Sequence, residues 1–315
     1  MRNRTKLIIL ALIALALTAI FLFFGLNEHW GYVLPRRTMK ILAIILTGSA
    51  IAFATVIFQT VTNNRILTPS IIGLDSLYLL IQTGLIFIFG STHLTIMNQH
   101  FNFFLSVGLM IIFALLLYHF LFKKEGQNIY FLLLIGLIFG TFFSSLSEFM
   151  QVLIDPNEFQ FVQDQMFASF NNVNTDLFYI ALVGMGLTIL YFLRYAKYLN
   201  VISLGKDQAI NLGVEYDHIV RQIFIIVAIL ISIATVLVGP ITFLGLLVAN
   251  VAYEFLKNYR HKELILGAIL VSIIALVGGQ LIVERVFTFS TTVSVIINFV
   301  GGVYFIYLLL KESRA

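Results

Sequence analysis

Apolar runs of about 20 residues, the length that crosses the hydrocarbon layer of a bilayer, recur along this chain from one end to the other with only short polar interruptions. Segments of that length and polarity are membrane helices, so the expected fold class is an all-α integral membrane protein with no soluble domain of useful size. Composition agrees: 60% of the residues are hydrophobic and 11% charged, whereas soluble domains carry roughly 25% charged residues. Reading runs between charged or turn-rich gaps predicts about ten transmembrane helices, near 7–26, 38–60, 70–90, 103–122, 129–150, 176–196, 220–239, 241–256, 263–283 and 291–310, in one transmembrane domain, 1–315. The first run follows Arg2, Arg4 and Lys6 as a signal peptide would. No small-residue cleavage site follows it before Trp30, so it is read as a retained span.

The basic residues give the orientation, because cytoplasmic loops collect Lys and Arg. With the N-terminus inside, the cytoplasmic set is Arg2, Arg4, Lys6, Arg65, Lys123, Lys124, Arg194, Lys197, Lys206, Arg221, Lys257, Arg260, Lys262, Lys311 and Arg314, 15 of the 19 basic residues. Arg36, Arg37, Lys40 and Arg285 remain outside. A miscounted span would scramble this division, so both termini are expected in the cytoplasm. The basic excess therefore reads as topology rather than nucleic-acid binding.

Two connections exceed a turn. Residues 151–174 lie outside and carry Asp155, Glu158 and Asp164, while 199–218 lie inside between spans six and seven. In the second, Ile202, Ala209, Ile210 and Leu212 to Val214 form an apolar side at helical spacing. That predicts one or two short helices presenting a surface either to the membrane interface or to a soluble partner. Ten spans divide into two sets of five, and an odd number per unit would invert one copy relative to the other. "TPSIIGL" at 68–74 and "GPITFLGL" at 239–246 each place a proline shortly before Gly-Leu, a match short enough for chance to give as well.

Several chemistries are missing. There is no cysteine, no zinc-protease helix, no nucleophile elbow and no phosphate loop, since Gly205-Lys206 is followed by Asp207. Any ATP used in transport must bind another chain. Histidines 29, 93, 100, 119, 218 and 261 lack ligand spacing and read as surface residues. Asp75 and Glu148 sit near span ends, which argues against an ion-coupled secondary transporter, because such carriers keep ionisable groups deep in the membrane. Gly136, Gly140, Gly184, Gly186 and Gly301-Gly302 permit close helix approach or bending. Thr141, Ser144 and Ser145 in span five and Thr292, Ser294 and Asn298 in span ten are candidate pathway lining, or bond back to their own helices.

Five stretches in order carry a resemblance: "LPRR" at 34–37, "GSAIAFATVIFQTVTNNRILTPSIIGLDS" at 48–76, "SLGKDQAINLGV" at 203–214, "GPITFLGLLVANVAYEF" at 239–255 and "NFVGGVYFIYLLLKE" at 298–312. Together they resemble the iron-siderophore and cobalamin permeases, the FecCD/BtuC-type membrane subunits of ABC importers. The resemblance implies a type II importer architecture of two inverted five-span halves in the bacterial cell membrane. Implied partners are a cytoplasmic ABC ATPase that uses ATP and Mg, an extracytoplasmic siderophore-binding (lipo)protein, and a second permease, related or identical; no cofactor is bound by this chain. It further implies ATPase coupling through Ser203, Leu204, Gly205, Ala209, Leu212, Gly213 and Val214, and binding-protein docking through Arg36, Arg37 and Arg285. The implied substrate is a ferric siderophore, with cobalamin or haem as alternatives on the same machinery. Residues 153–177 resemble the petrobactin-type branch. Val33, Ala249-Asn250 and Thr291-Thr292 depart from the family pattern, at positions concerned with docking and gating.

Overall fold

The structure, a computed structural model, describes residues 3–25, 30–90, 99–122, 129–171 and 173–312, with side chains described except at 119–122, 129–133 and 311–312. Arg2, His29, His93, Lys123, Lys124 and Arg314, and the side chains of His119 and Lys311, thus lie outside the described residues. Every regular element among the described residues is helical. Its longer helices are α1 (Asn3–Phe23), α2 (Trp30–Thr62), α3 (Leu74–Phe89), α4 (Gln99–Phe122), α5 (Ile129–Leu153), α6 (Pro156–Met166) and α7 (Thr175–Leu193). After two very short helices, α8 (Leu199–Ile202) and α9 (Lys206–Asn211), come α10 (Tyr216–Val238), α11 (Leu244–Leu256), α12 (His261–Arg285) and α13 (Val293–Glu312). Eight of these are long and apolar enough to cross a membrane, and α3 and α11 are shorter apolar helices.

Those two short helices correct the expected spans 70–90 and 241–256. At 1.5 Å per residue, the 16 residues of α3 and the 13 of α11 fall short of a hydrocarbon layer of about 30 Å. Each is preceded by irregular backbone: the 3-10 turn Pro69–Ile72 before α3, and Gly239 to Phe243 before α11. Such backbone is tolerated at membrane depth only where protein shields it. Here Thr68, Pro69, Ile72, Gly239, Pro240 and Ile241 are all buried. The span expected at 38–60 starts earlier, at Trp30, with Pro35 inside the helix. The outer connection 151–174 also gains a helix, α6, whose start is capped by the Asp155 carboxylate accepting from Asn157 N at 2.8 Å.

The duplication suggested by the faint sequence echo is visible as packing. The second span of each five-span half, α2 and α10, is central, with 78% and 72% of its apolar window buried, against 17–28% for α1, α4, α5, α7 and α13. In each half the third span is the short one, and the last span crosses the break before it. A Cβ on Gly136 would lie 2.9 Å from Ile72 Cα, and one on Gly140 3.4 Å from Gly73 Cα. In the other half, a Cβ on Gly301 would lie 2.5 Å from Phe243 Cβ. The two breaks are joined by Thr242 donating to Asp75 at 3.0 Å. Asp75, expected near a span end, is therefore buried between the halves.

Candidate functional site

α8 and α9 lie at the end of the bundle that the distribution of basic residues predicts to be cytoplasmic. The chain path there depends on two glycines. Gly205 precedes α9 with φ +101° and ψ 164°, a region open essentially to glycine alone. Gly213 follows α9 at φ +78°, and its N–H donates to Ile210 O at 2.9 Å while Val214 N donates to Ala209 O at 3.0 Å. That pair of bonds is the Schellman arrangement, which closes a helix by satisfying its last carbonyls. Ser203 adds a bond from its hydroxyl to Asn200 O at 2.9 Å.

With the path fixed, the apolar residues sort into two sides. Leu199, Ile202 and Ala209 are buried and Val214 half-buried, so they seat the segment on the bundle. Leu204, Ile210 and Leu212 are exposed at 55%, 49% and 62% and project away from it. Ala209, expected at the partner-facing surface, is instead on the underside. Lys206 pairs with Asp217 at 3.0 Å in an exposed bridge of little energetic weight.

Rigid connections run from this segment into the spans. His261, read from the sequence as a surface histidine, is buried at the start of α12, with Nδ1 2.6 Å from Asn200 Oδ1 and Nε2 2.9 Å from Thr60 Oγ1. It ties α8 to α2 and α12. Asn250, at the departure Ala249-Asn250, donates to Arg65 O and to Leu246 O at 2.9 Å, holding α11 against the chain leaving α2. Beside these groups a cavity of about 720 Å³ opens between Asn63 to Arg65, Ser203-Leu204 and the α11–α12 turn.

At the opposite end the three arginines separate. Arg37 Nη1 donates to Phe21 O, Leu22 O and Phe24 O at 3.2, 3.2 and 2.9 Å, and Arg285 Nη2 donates to Phe24 O at 2.7 Å. Both cations sit on the carbonyl end of α1, where the helix dipole favours positive charge. Gly25, at φ +68°, leaves the space that Arg285 occupies. Arg36 and Arg285 are exposed and Arg37 is half-buried, and the Arg36 guanidinium is stacked over Tyr32 at 4.3 Å. Val33 is half-buried in the same helix.

The hydroxyls divide in the same way. Thr141 and Ser145 are exposed on α5, Thr141 bonding back to Leu137 O at 2.9 Å. The others face into the fold rather than onto an open route. Ser144 donates to Ser76 at 3.1 Å, Ser294 is buried within 3.0 Å of Thr292, and Asn298 accepts from Phe243 N at 3.2 Å. Among the described residues no cluster of three His, Asp or Glu could hold a metal ion.

The profile of the FecCD transport family matches residues 5–311. The chain belongs to that family. The petrobactin import system permease protein YclO of Bacillus subtilis is 63% identical over 315 residues, the full length of both chains. Petrobactin permease FatC of Bacillus anthracis is 36% identical over 89% of this chain and 79% of its own. A solved inward-facing metal-chelate type ABC transporter superposes with a TM-score of 0.84 over 98% of this chain and 99% of its own at 21% identity, which establishes the shared fold. As a FecCD chain, the protein has its seven sequence-expected coupling residues together in one segment. Its three expected docking arginines divide between Arg36, stacked over Tyr32, and Arg37 and Arg285, which fasten α1. The bridging role of His261 was not legible in the sequence, because its partners lie 61 and 201 residues away.

Proposed function

We propose that this FecCD permease is the membrane subunit of an ABC importer for a ferric siderophore of the petrobactin type, residing in the bacterial cell membrane with both termini in the cytoplasm. One observation carries the mechanism: a short helical segment, seated on the bundle by buried residues, presents Leu204, Ile210 and Leu212 outward. Three apolar side chains displayed on a rigid mount suit a groove on a soluble partner, and the partner that must supply energy is the ATPase, which binds ATP and Mg. Motion of that subunit would reach α2 and α12 through Asn200, His261 and Thr60. At the other end Arg36 is placed to meet a carboxylate of the extracytoplasmic binding protein, governing orientation and encounter more than affinity.

A second permease would cover the apolar faces of α5 (Leu137, Ile138, Phe142, Phe149) and α13 (Phe299, Val303, Ile306), all exposed in the single chain. Thr141 and Ser145 lie on the same α5 face and would line a substrate route at that junction. The full-length similarity to YclO supports the substrate class.

Uptake of ferric petrobactin by cells lacking their own copy tests the proposal. The intact gene should restore uptake, while Leu204→Glu with Leu212→Glu should abolish it and prevent co-purification of the ATPase, with the chain still in the membrane. Normal uptake by that variant would overturn the coupling assignment, and failure of the intact gene to restore uptake would overturn the substrate.

A further inference from the structure

Beside the coupling segment, where α7 ends, a polar cavity of about 400 Å³ is lined by Arg194, Tyr195, Lys197, Tyr198, Glu215 and His218. That volume is within the range of small-ligand pockets, about 300–1,000 Å³. We infer that it holds the headgroup of an anionic phospholipid of the inner leaflet.

Depth is the first argument. The 19 residues of α7 rise about 28 Å, close to the hydrocarbon thickness of about 30 Å, so Arg194, the next residue, stands at headgroup level. The wall leading to the cavity is the second. Leu182, Leu187, Leu190 and Leu193 are exposed along α7, a surface that acyl chains would cover and that a free anion would not need.

Charge is the third argument. Arg194 and Lys197 bring two basic side chains and Glu215 one carboxylate, with His218 adding an imidazole. Among the described residues the ion pairs are Lys40–Glu284 and Lys206–Asp217, so neither cavity cation is neutralised by a carboxylate at contact. Lys197 lies over the Tyr198 ring at 4.8 Å, and the Tyr195 hydroxyl is 3.0 Å from that of Tyr191. Aromatic rings with basic groups at one depth are the usual furniture of a membrane interface, and basic pockets at cytoplasmic helix ends recognise acidic headgroups. Gly213 belongs to the same wall, so a seated headgroup touches the segment assigned to the ATPase.

The inference rests on the reading that 196–218 face the cytosolic leaflet, but its test needs neither ATPase nor substrate. The full-length permease, purified in mild detergent with any second permease that accompanies it, is titrated with phosphatidylglycerol, phosphatidylcholine or inorganic phosphate and followed by native mass spectrometry. Phosphatidylglycerol should be retained where phosphatidylcholine is lost. Arg194→Gln with Lys197→Gln should weaken retention roughly thirtyfold, about fivefold per cation. Glu215→Gln should strengthen it by a similar single factor, a gain that misfolding would not produce. Equal retention of the two lipids, or an unchanged double variant, would overturn the inference. Displacement of the lipid by millimolar phosphate would mark a free-anion site, and displacement by added ATPase a docking surface; either result also overturns it. Loss of uptake in cells with lipid retention intact would count against the importer reading alone.

Discussion

Gly205 and Gly213 look equivalent in the sequence, yet their backbone angles make different demands. Gly205 at φ +101° and ψ 164° admits no other residue without strain, and an added Cβ would approach Gln208 Oε1 at 3.0 Å. Gly213 at φ +78° has nothing within 4 Å of a Cβ and occupies the left-handed region that asparagine tolerates. Gly205→Val should therefore cost about 1–3 kcal/mol locally and abolish uptake, whereas Gly213→Asn should keep most of it. Uptake rates normalised to immunoblotted membrane content check both. The arginines offer a second contrast. Arg37→Ala removes three charge-assisted bonds at the end of α1 and should lower thermal stability. Arg36→Ala should leave the melting temperature in place and slow uptake, with the deficit growing smaller as binding protein is raised. Equal loss of stability in both variants would refute the division of roles.

Among elements, the crossing of each half's last span over the break before its third is the feature most exposed to test. Gly301→Ala puts a methyl group into Phe243, an overpacking cost of roughly 1–3 kcal/mol. Gly302 has open space around its Cβ position, so Gly302→Ala should be neutral to within about 0.5 kcal/mol. Thermal unfolding of the two purified variants separates these outcomes. The bridge through His261 works at the same scale, since α8, seated by only Leu199 and Ile202, is further tied to α2 and α12 through Asn200, His261 and Thr60. Replacing His261 with Phe leaves Asn200 and Thr60 without their ring partners. The expected result is loss of ATPase stimulation by substrate while the spans stay folded, read as ATP hydrolysis in reconstituted vesicles.

For the whole molecule, the proposed orientation puts the end bearing α8 and α9 in the cytosol. The chain has no cysteine, so single introduced cysteines are unique labels. Asp207→Cys should react with an impermeant maleimide only after cells are opened, and Asp164→Cys, on exposed α6, in intact cells. The reverse pattern would invert the topology and remove the coupling assignment with it. The exposed apolar faces of α5 and α13 predict that the single chain aggregates in detergent unless a second permease is co-expressed, a difference that size-exclusion profiles resolve.

The all-helical membrane class, the order of the apolar segments and the polar interruption at 199–218 were legible in the sequence because they depend on local averages, the polarity of some 20 residues and the charges that flank them. The coupling glycines were legible through family resemblance alone; the reason for each, a positive φ, is not written in residue identity. What tertiary structure decided were the pairings. Arg37 and Arg285 meet the end of α1, Asp75 meets Thr242 across the two halves, and His261 joins residues far away in the chain. Hydropathy records how a segment partitions into lipid, which each segment does by itself. A buried hydrogen bond exists only when two distant segments pack, so its partners carry no signature until the fold brings them together.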